Sequence, residues 1–178
     1  MNEYKIGQIF EEKYPPEAAA WCNSNHAYIT EIDPVDGVRR FQIVAVPEPT
    51  IEELRTAKLA DLNSAFADVE SGAWVVSSLG FKADANTTAN TNIDGLIKSM
   101  SSLGTETTQF CDYDNVFRTV TLDDLKTLQL EVIQNGQSLY AQKWAYRDAI
   151  NVAADKTALD AVQIKFVMLD FTPQTEAA

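Results

Sequence analysis

The strongest constraint on the fold is one long amphipathic helix in the second half of the chain. Thr121-Leu-Asp-Asp124 has the pattern of a capping box, in which a threonine oxygen and an acidic side chain satisfy free amides at a helix start. Apolar residues then recur at helical spacing as far as about Ala153, which predicts a helix on the order of 45 Å long at about 1.5 Å per residue. The stripe comprises Leu125, Leu128, Val132, Leu139, Tyr146 and Ile150, widened by Leu122, Ile133, Tyr140 and Trp144. Asn135-Gly136 is expected to interrupt the helix, as a kink or where another backbone packs closely.

The first 47 residues have the pattern of a small β-α-β-β module. Residues 4–10 have the apolar spacing of a short strand, and Pro16 suits the first position of a helix. Two β-rich runs follow, over residues 27–32 and 37–46, separated by the turn sequence DPVDG. PEP at residues 47–49 closes the module, because two closely spaced prolines fit neither a helix interior nor a central strand.

Two further helices and a strand are predicted before the long helix. Thr50-Ile-Glu-Glu53 is another capping box, and the helix that it opens is expected to end at Ser71-Gly72. Residues 73–81 are predicted to form one strand, because the run is rich in β-branched and aromatic residues. A helix is then expected from about Asp84 to Gly104. Its apolar stripe comprises Ala85, Ala89, Ile93, Leu96, Met100 and Leu103.

Together these patterns predict an α+β fold. We expect the β-α-β-β module over residues 1–47, a linking helix over residues 48–72, and a helix-rich domain with a small, mostly antiparallel sheet over residues 73–171. That domain is expected to close with a short helix at DKTALDAVQ and a strand over residues 164–171. Residues 172–178 are expected to be a frayed tail.

The acidic stretch FCDYDNVFRTVTLDDL allows two interpretations, a metal-binding loop and a β-hairpin. A calcium loop starting at Asp112 needs an oxygen ligand at its fifth position, glycine at its sixth and glutamate at its twelfth. Val116, Phe117 and Asp123 occupy those positions, so the metal interpretation fails on residue type. Asp114-Asn115 between two β-rich runs is typical of a hairpin turn, which we predict here.

The sequence predicts no catalytic, cofactor-binding or metal-binding residue. His26, the one histidine, is expected to be an ordinary residue of a surface turn. Cys22 and Cys111 lack CxxC spacing and a neighbouring cation, and are expected to be buried thiols. Core packing is favoured over an aromatic binding platform for Trp21, Trp74, Trp144, Tyr140 and Tyr146. A hidden pair of acids stays an open alternative, because the sequence does not show which carboxylates meet.

Charge and hydropathy narrow the range of partners. Fourteen Lys and Arg stand against 26 Asp and Glu, so the formal net charge is −12 and phosphate backbones are repelled. No apolar run approaches the roughly 20 residues that a membrane span needs, and the first residues lack the layout of a signal peptide. We therefore expect a cytoplasmic protein that binds neither nucleic acid nor membrane.

Three segments occur in an order that resembles a known domain of unassigned biochemistry. These are VVSSLGFKADANTTANTNIDGLI, DYDNVFRTVTLDDLKTLQ and AYRDAINVAADKTALDAVQIKF. The matched features are Gly80-Phe81 ending a strand, Asp84-Ala85 opening a helix with Ala89 and Ile93, the Asp114-Asn115 turn, Val120-Thr121-Leu122 before the long helix, and a closing helix and strand after Ala153-Ala154. The resembling domain is found mainly at the C-terminal ends of phage and prophage tail, tail-fibre and fibre-assembly proteins, and the likeness covers residues 74–166. Asn86, Thr87 and Thr88 depart from it, because a charged pair is expected there.

The resemblance implies a non-enzymatic role in phage tails and transfers no site residue. The favoured expectation is a fibre-assembly chaperone that binds a tail-fibre polypeptide in the cytoplasm of the bacterial host, with retention on the virion left open. The alternatives are a structural tail component, which includes a homo-oligomer, and an enzyme with a hidden acidic pair. No cofactor is expected.

Overall fold

The computed structural model describes residues 4–173, so residues 174–178 of the expected tail lie outside the described part. The described chain is a mixed α+β structure, which confirms the expected fold class. It divides into two compact units, one ending at Pro49 and one beginning at Thr50. The elements are β1 (Ile9–Glu11), α1 (Pro16–Ser24), β2 (Ala27–Val35), β3 (Val38–Ala45), α2 (Ile51–Ser71), β4 (Trp74–Val76), β5 (Lys82–Asp84), α3 (Thr87–Leu103), β6 (Thr107–Cys111), β7 (Phe117–Thr121), α4 (Leu122–Val152) and α5 (Lys156–Ala161).

The first unit is an antiparallel sheet of order β1-β3-β2 that packs with α1. Asp36 and Gly37 join β2 to β3, and their φ values of 50° and 80° suit a two-residue hairpin turn. The prediction of a strand over residues 4–10 is wrong for most of its length, because the chain turns at Gly7 (φ 85°) and pairing begins at Ile9. The buried core of this unit comprises Tyr4, Ala18, Cys22, Ala27 and Ile43.

In the second unit both capping boxes are confirmed. Thr50 Oγ1 accepts the Glu53 amide, and the Glu53 carboxylate accepts the Thr50 amide at 2.8 Å. Thr121 and Asp124 repeat this arrangement at the start of α4. Helices α2, α3 and α4 and the short hairpins share the larger of two buried clusters in this unit, and it lies mainly along α4. Its buried members are Phe66, Ala73, Val75, Ala83, Ala85, Ile93, Met100, Val120, Leu125, Leu128, Val132 and Leu139.

The expected interruption at Asn135-Gly136 is wrong, because α4 is one helix of 31 residues. A Cβ placed on Gly136 would meet no atom of residues 4–173 within 4 Å, so no backbone of the described chain packs closely there. Asn135 is fully buried: its Nδ2 donates to the Trp74 carbonyl at 3.2 Å, and its Oδ1 accepts the Leu169 amide at 2.8 Å. Asn135 therefore marks the place where α4 contacts two other segments.

The single strand predicted over residues 73–81 is confirmed at Trp74–Val76 and is wrong for the rest of its length. These residues form β4 and a tight turn into β5, and the two strands pair antiparallel. Gly80 takes a φ of 83°, and the Ser77 amide donates to the Phe81 carbonyl at 2.9 Å inside the turn. Since glycine adopts positive φ readily, Gly80 permits this reversal.

The final strand predicted over residues 164–171 is wrong as well, although the segment is extended. Within residues 4–173 it forms a single bridge to a strand, which joins Asp170 to Val76 of β4. Side chains of α4 supply hydrogen bonds that a strand partner would otherwise give. Gln142 bonds both the amide and the carbonyl of Val167 at 2.8 Å, and the Tyr146 hydroxyl donates to the Lys165 carbonyl at 2.7 Å and accepts its amide at 3.1 Å.

Candidate functional site

The acidic stretch forms the predicted hairpin, with β6 and β7 paired antiparallel. Asp112 is 3% exposed, and its Oδ1 accepts the amides of Asp114 and Val116 at 3.0 and 2.8 Å. Its Oδ2 accepts Arg118 Nε at 2.8 Å. The hydrogen bond from Val116, supported by those from Arg118 and Asp114, holds the pKa of the Asp112 carboxyl below its usual value against the opposing effect of desolvation. Asp112 thus organises the turn.

The other residues considered in the sequence lie apart from one another. His26 sits in an exposed turn at φ 47°, as expected. Cys22 is buried, but Cys111 is exposed, so the expectation of two buried thiols is wrong for Cys111. The alternation along β6 explains the difference, because Thr108 and Phe110 face inward while Cys111 lies on the solvent side. Among residues 4–173 no group of three or more His, Cys, Asp or Glu could hold a metal ion.

Glu131 is a buried carboxylate that the sequence reasoning missed. Its Oε2 accepts the Ser77 hydroxyl at 2.5 Å, and its Oε1 accepts the hydroxyl and amide of Ser78 at 2.5 and 3.1 Å. Both oxygens are therefore engaged in holding the β4–β5 turn against α4. The signal in the sequence was a charged residue beside Val132 on the apolar stripe, where a solvated side chain is not expected.

An exposed apolar face on α4, here called the α4 stripe, is the first part of the candidate site. It comprises Leu130, Ile133, Tyr140 and Trp144. The core packing expected for Tyr140 and Trp144 is wrong, since they are 42% and 54% exposed, with ring centroids 6.2 Å apart. Helical geometry explains this exposure. Both residues lie at the edge of the apolar face of α4, and the core covers only the centre of that face. Trp21, Trp74 and Tyr146 are partly buried.

Two hollows flank the α4 stripe, and Tyr140 lines both. The first, here called the front cavity, has a volume of about 140 Å³ and lies where α2, α3 and α4 meet. Phe66, Val132 and Leu139 give it apolar walls, and Gly136 contributes open space in place of a side chain. The second hollow lies between α2 and α4, and its lining includes Leu59, Leu62, Lys143, Trp144 and Arg147.

Several residues that line the front cavity carry hydrogen-bond acceptors. Asn90 Oδ1 is buried and has no hydrogen-bond partner within the described part of the chain. Tyr140 donates its hydroxyl to Glu70 Oε1 at 3.2 Å, and this hydrogen bond raises the pKa of Tyr140. Asn86 and Thr87, which stand where the family resemblance led us to expect charge, also line the cavity. The arrangement can bind a group that donates hydrogen bonds.

Two features of the sequence, Gly136 and Asn90, bear on this cavity. Glycine costs about 1 kcal/mol relative to alanine inside a helix, so Gly136 in an unbroken helix calls for a local reason. Neither a positive φ nor a close neighbour supplies that reason. Asn90 sits one residue from the apolar position of Ala89 on α3, yet it lines a cavity formed with two other helices. That juxtaposition depends on how α2, α3 and α4 pack.

Comparison with known proteins identifies the family and leaves its biochemistry unassigned. Within residues 4–173 no helix combines the length and apolar character needed to cross a membrane. No curated protein and no solved structure matches the chain. A family profile described as "Domain of unknown function (DUF4376)" matches residues 53–164, which take in α2 to α5. The chain therefore belongs to the DUF4376 family.

Proposed function

We propose that this chain is a non-enzymatic protein-binding factor, and specifically an assembly chaperone for a phage tail-fibre polypeptide. The α4 stripe is the observation that carries the proposal. It exposes Tyr140 and Trp144 side by side between two hollows with apolar walls. Exposed aromatic residues beside pockets are typical anchors of protein interfaces. The assignment to phage tails rests on the ordered sequence motifs of residues 74–166.

The buried carboxylates favour binding over reaction. Asp112 uses both oxygens to hold its own hairpin, and Glu131 uses both to hold two serines. A general acid or base must reach the proton that it transfers, whereas these carboxylates are occupied by structural donors. The exposed surface that remains distinctive is apolar and aromatic, which suits recognition of another polypeptide in the host cytoplasm.

Co-expression with a phage tail-fibre polypeptide from the same genome tests the proposal. Size-exclusion chromatography with light scattering should give a mixed complex and more soluble fibre. Trp144→Ala should weaken the complex, because it removes a large exposed contact from the α4 stripe. Leu103→Ala is the matched control, since Leu103 is exposed on α3 outside the stripe. Absence of both a complex and a gain in soluble fibre with the unaltered chain would reject the chaperone role.

A structural tail component is the second candidate, because the α4 stripe could also join copies of this chain. A homo-oligomer of the chain alone that Trp144→Ala dissociates, together with its presence in purified particles, would favour that role and virion location. A monomer that is absent from particles would exclude it.

A further inference from the structure

We infer that the front cavity is an anchor site for a basic side chain, lysine or arginine, of the partner polypeptide. This inference rests on the proposed protein-binding function and deepens it by naming the chemistry that the partner must present.

The hydrogen-bonding capacity of the cavity points to a donor. Asn90 Oδ1 is a buried acceptor without a partner in residues 4–173, and buried polar groups are nearly always satisfied by protein, water or ligand. Glu70 at the rim offers a carboxylate that takes part in no ion pair within the described chain. Tyr140 donates its hydroxyl hydrogen to Glu70, so the oxygen of that hydroxyl can accept a hydrogen bond from a third group. The three residues that carry these acceptors all line the front cavity.

The shape of the cavity fits an aliphatic stem behind the donor. Its volume of about 140 Å³ is close to that of cavities of about 150 Å³ that hold benzene, so a short hydrocarbon chain has room. Phe66, Val132 and Leu139 supply the apolar walls. The absence of a side chain at Gly136 keeps one side open. Lysine and arginine combine an apolar stem with a charged donor at its tip.

Charge favours a cation over a neutral donor. Glu70 contributes a negative charge at the rim, and the chain carries a net charge of −12. Lys143 holds its ammonium 4.2 Å from the centre of the Phe66 ring, so that ring already has a cation of this chain beside it. Lys143 lines the second hollow rather than the front cavity. Within residues 4–173 Lys143 makes no hydrogen bond to Asn90 and no ion pair with Glu70, so the charge of Glu70 is available to a cation from the partner.

The test uses tripeptides with one varied central residue. Acetylated and amidated Leu-Xaa-Leu peptides with lysine, arginine, norleucine or glutamate at Xaa are titrated into the full-length protein. The observed signals are the backbone amide of Gly136 and the side-chain amide of Asn90 in nitrogen–proton correlation spectra. The lysine or arginine peptide should give saturable shifts at both positions, and the norleucine and glutamate peptides should bind at least about tenfold more weakly.

Matched variants separate the cavity from the rest of the surface. Glu70→Gln should weaken binding of the basic peptide by about tenfold, because it removes the negative charge at the rim of the cavity. Asn90→Leu should weaken it by a similar factor, because it removes the amide acceptor. Gly136→Leu should abolish its binding by filling the cavity. Gly95→Leu is the control, since Gly95 is another helical glycine with nothing within 4 Å and lies outside the cavity. It should leave the titration unchanged.

The outcomes distinguish this inference from the proposed function. Equal binding of the norleucine and lysine peptides, or basic-peptide shifts that survive Gly136→Leu, would overturn the basic-anchor assignment. A fibre complex unaffected by Glu70→Gln and Gly136→Leu would overturn it while leaving the chaperone role standing. Cavity-dependent binding of the basic peptide without any fibre complex would support the anchor site and reject the fibre as its partner.

Discussion

Glu131 and Asn135 place hydrogen-bonding groups one turn apart on the buried face of α4. Between them they hold the β4–β5 turn, the Trp74 carbonyl and the Leu169 amide. Because each polar atom has a partner, these side chains fix one arrangement of neighbouring segments where apolar contacts alone would permit sliding. A small number of polar atoms therefore fixes the position of α4 relative to the β4–β5 turn and the segment around Leu169.

Replacement of Glu131 by leucine should destabilise the protein by about 3 kcal/mol, because it strands the two serine hydroxyls and the Ser78 amide away from water. Glu131→Gln should cost less, since its amide can still accept one hydrogen and donate another. Urea denaturation followed by circular dichroism measures both. Equal midpoints for Glu131→Leu and the unaltered protein would contradict this account.

Asp112 makes a prediction about pH. Its pKa is lowered in the folded state, so the ionised form stabilises the fold fully above the unfolded pKa of about 4, and this contribution is lost as the pH falls through the lower folded value. Asp112→Asn should therefore lower the urea midpoint at pH 7, and the difference from the unaltered protein should shrink below about pH 4.

Both proteins carry the same other carboxylates. The difference between their urea midpoints at each pH therefore reports the contribution of Asp112 alone. Asp114→Asn, in the exposed part of the same turn, is the control and should show little difference at either pH. A difference for Asp112→Asn that is the same at pH 7 and at low pH would contradict the role given to its charge.

At the scale of elements, side chains of α4 take the place of a neighbouring strand for the extended segment over residues 164–171. Asn135, Gln142 and Tyr146 bond the backbone of residues 169, 167 and 165 in turn. The spacing is two residues along the segment, and the partners fall on one side of a helix. Because the bonds go to main-chain atoms, the segment is held largely independently of its outward side chains, such as the exposed Val167.

Gln142→Ala should destabilise the protein by about 2 kcal/mol, because it removes both hydrogen bonds to Val167. Gln137→Ala is the matched control on the exposed part of the same helix, and should stay within about 0.5 kcal/mol of the unaltered protein. Urea midpoints give the comparison. If the two variants lose equal stability, the paired bonds to Val167 contribute nothing beyond the loss of a glutamine.

The elements that the sequence predicts well are those with local signals. The capping boxes at Thr50 and Thr121, the helix end at Gly104 and the Asp114-Asn115 turn each depend on a few neighbouring residues, and each is confirmed. The strand over residues 164–171 is wrong because the composition suits an extended chain, whereas the identity of its partner depends on α4 side chains more than fifteen positions away.

The candidate site was less accessible from sequence than the helices were. Helical periodicity places Tyr140 and Trp144 beside the buried stripe, but it does not say how wide a face the core covers. The cavity further requires Phe66, Asn90 and Gly136 to meet from three helices. Sequence spacing within one element carries no information on such a meeting.

At the scale of the whole molecule, the two units have separate cores of different size. The first buries few residues, and a module of about 50 residues is only marginally stable by itself. The second has two clusters of buried residues and includes the family match. We therefore expect the first unit to unfold before the second.

Tryptophan fluorescence can follow each unit by itself. Trp21 lies in the first unit, and Trp74 and Trp144 lie in the second. In urea, the Trp21→Phe chain should report a later transition than a chain with Trp74→Phe and Trp144→Phe. Coincident transitions for the two chains would show that the units unfold as one.

The extended segment that follows α5 also affects the order in which the protein can fold on the ribosome. Phe166, Met168 and Phe171 pack against the core of the second unit, so that core stays incomplete until residue 171 has been synthesised. At about 5–20 residues per second, translation from Thr50 to Phe171 takes on the order of ten seconds. The first unit can fold early in that interval, whereas the newly made α4 must wait with its buried face open. A nascent chain arrested shortly before residue 164 should therefore be far more sensitive to protease in its second unit than one extended well beyond residue 171.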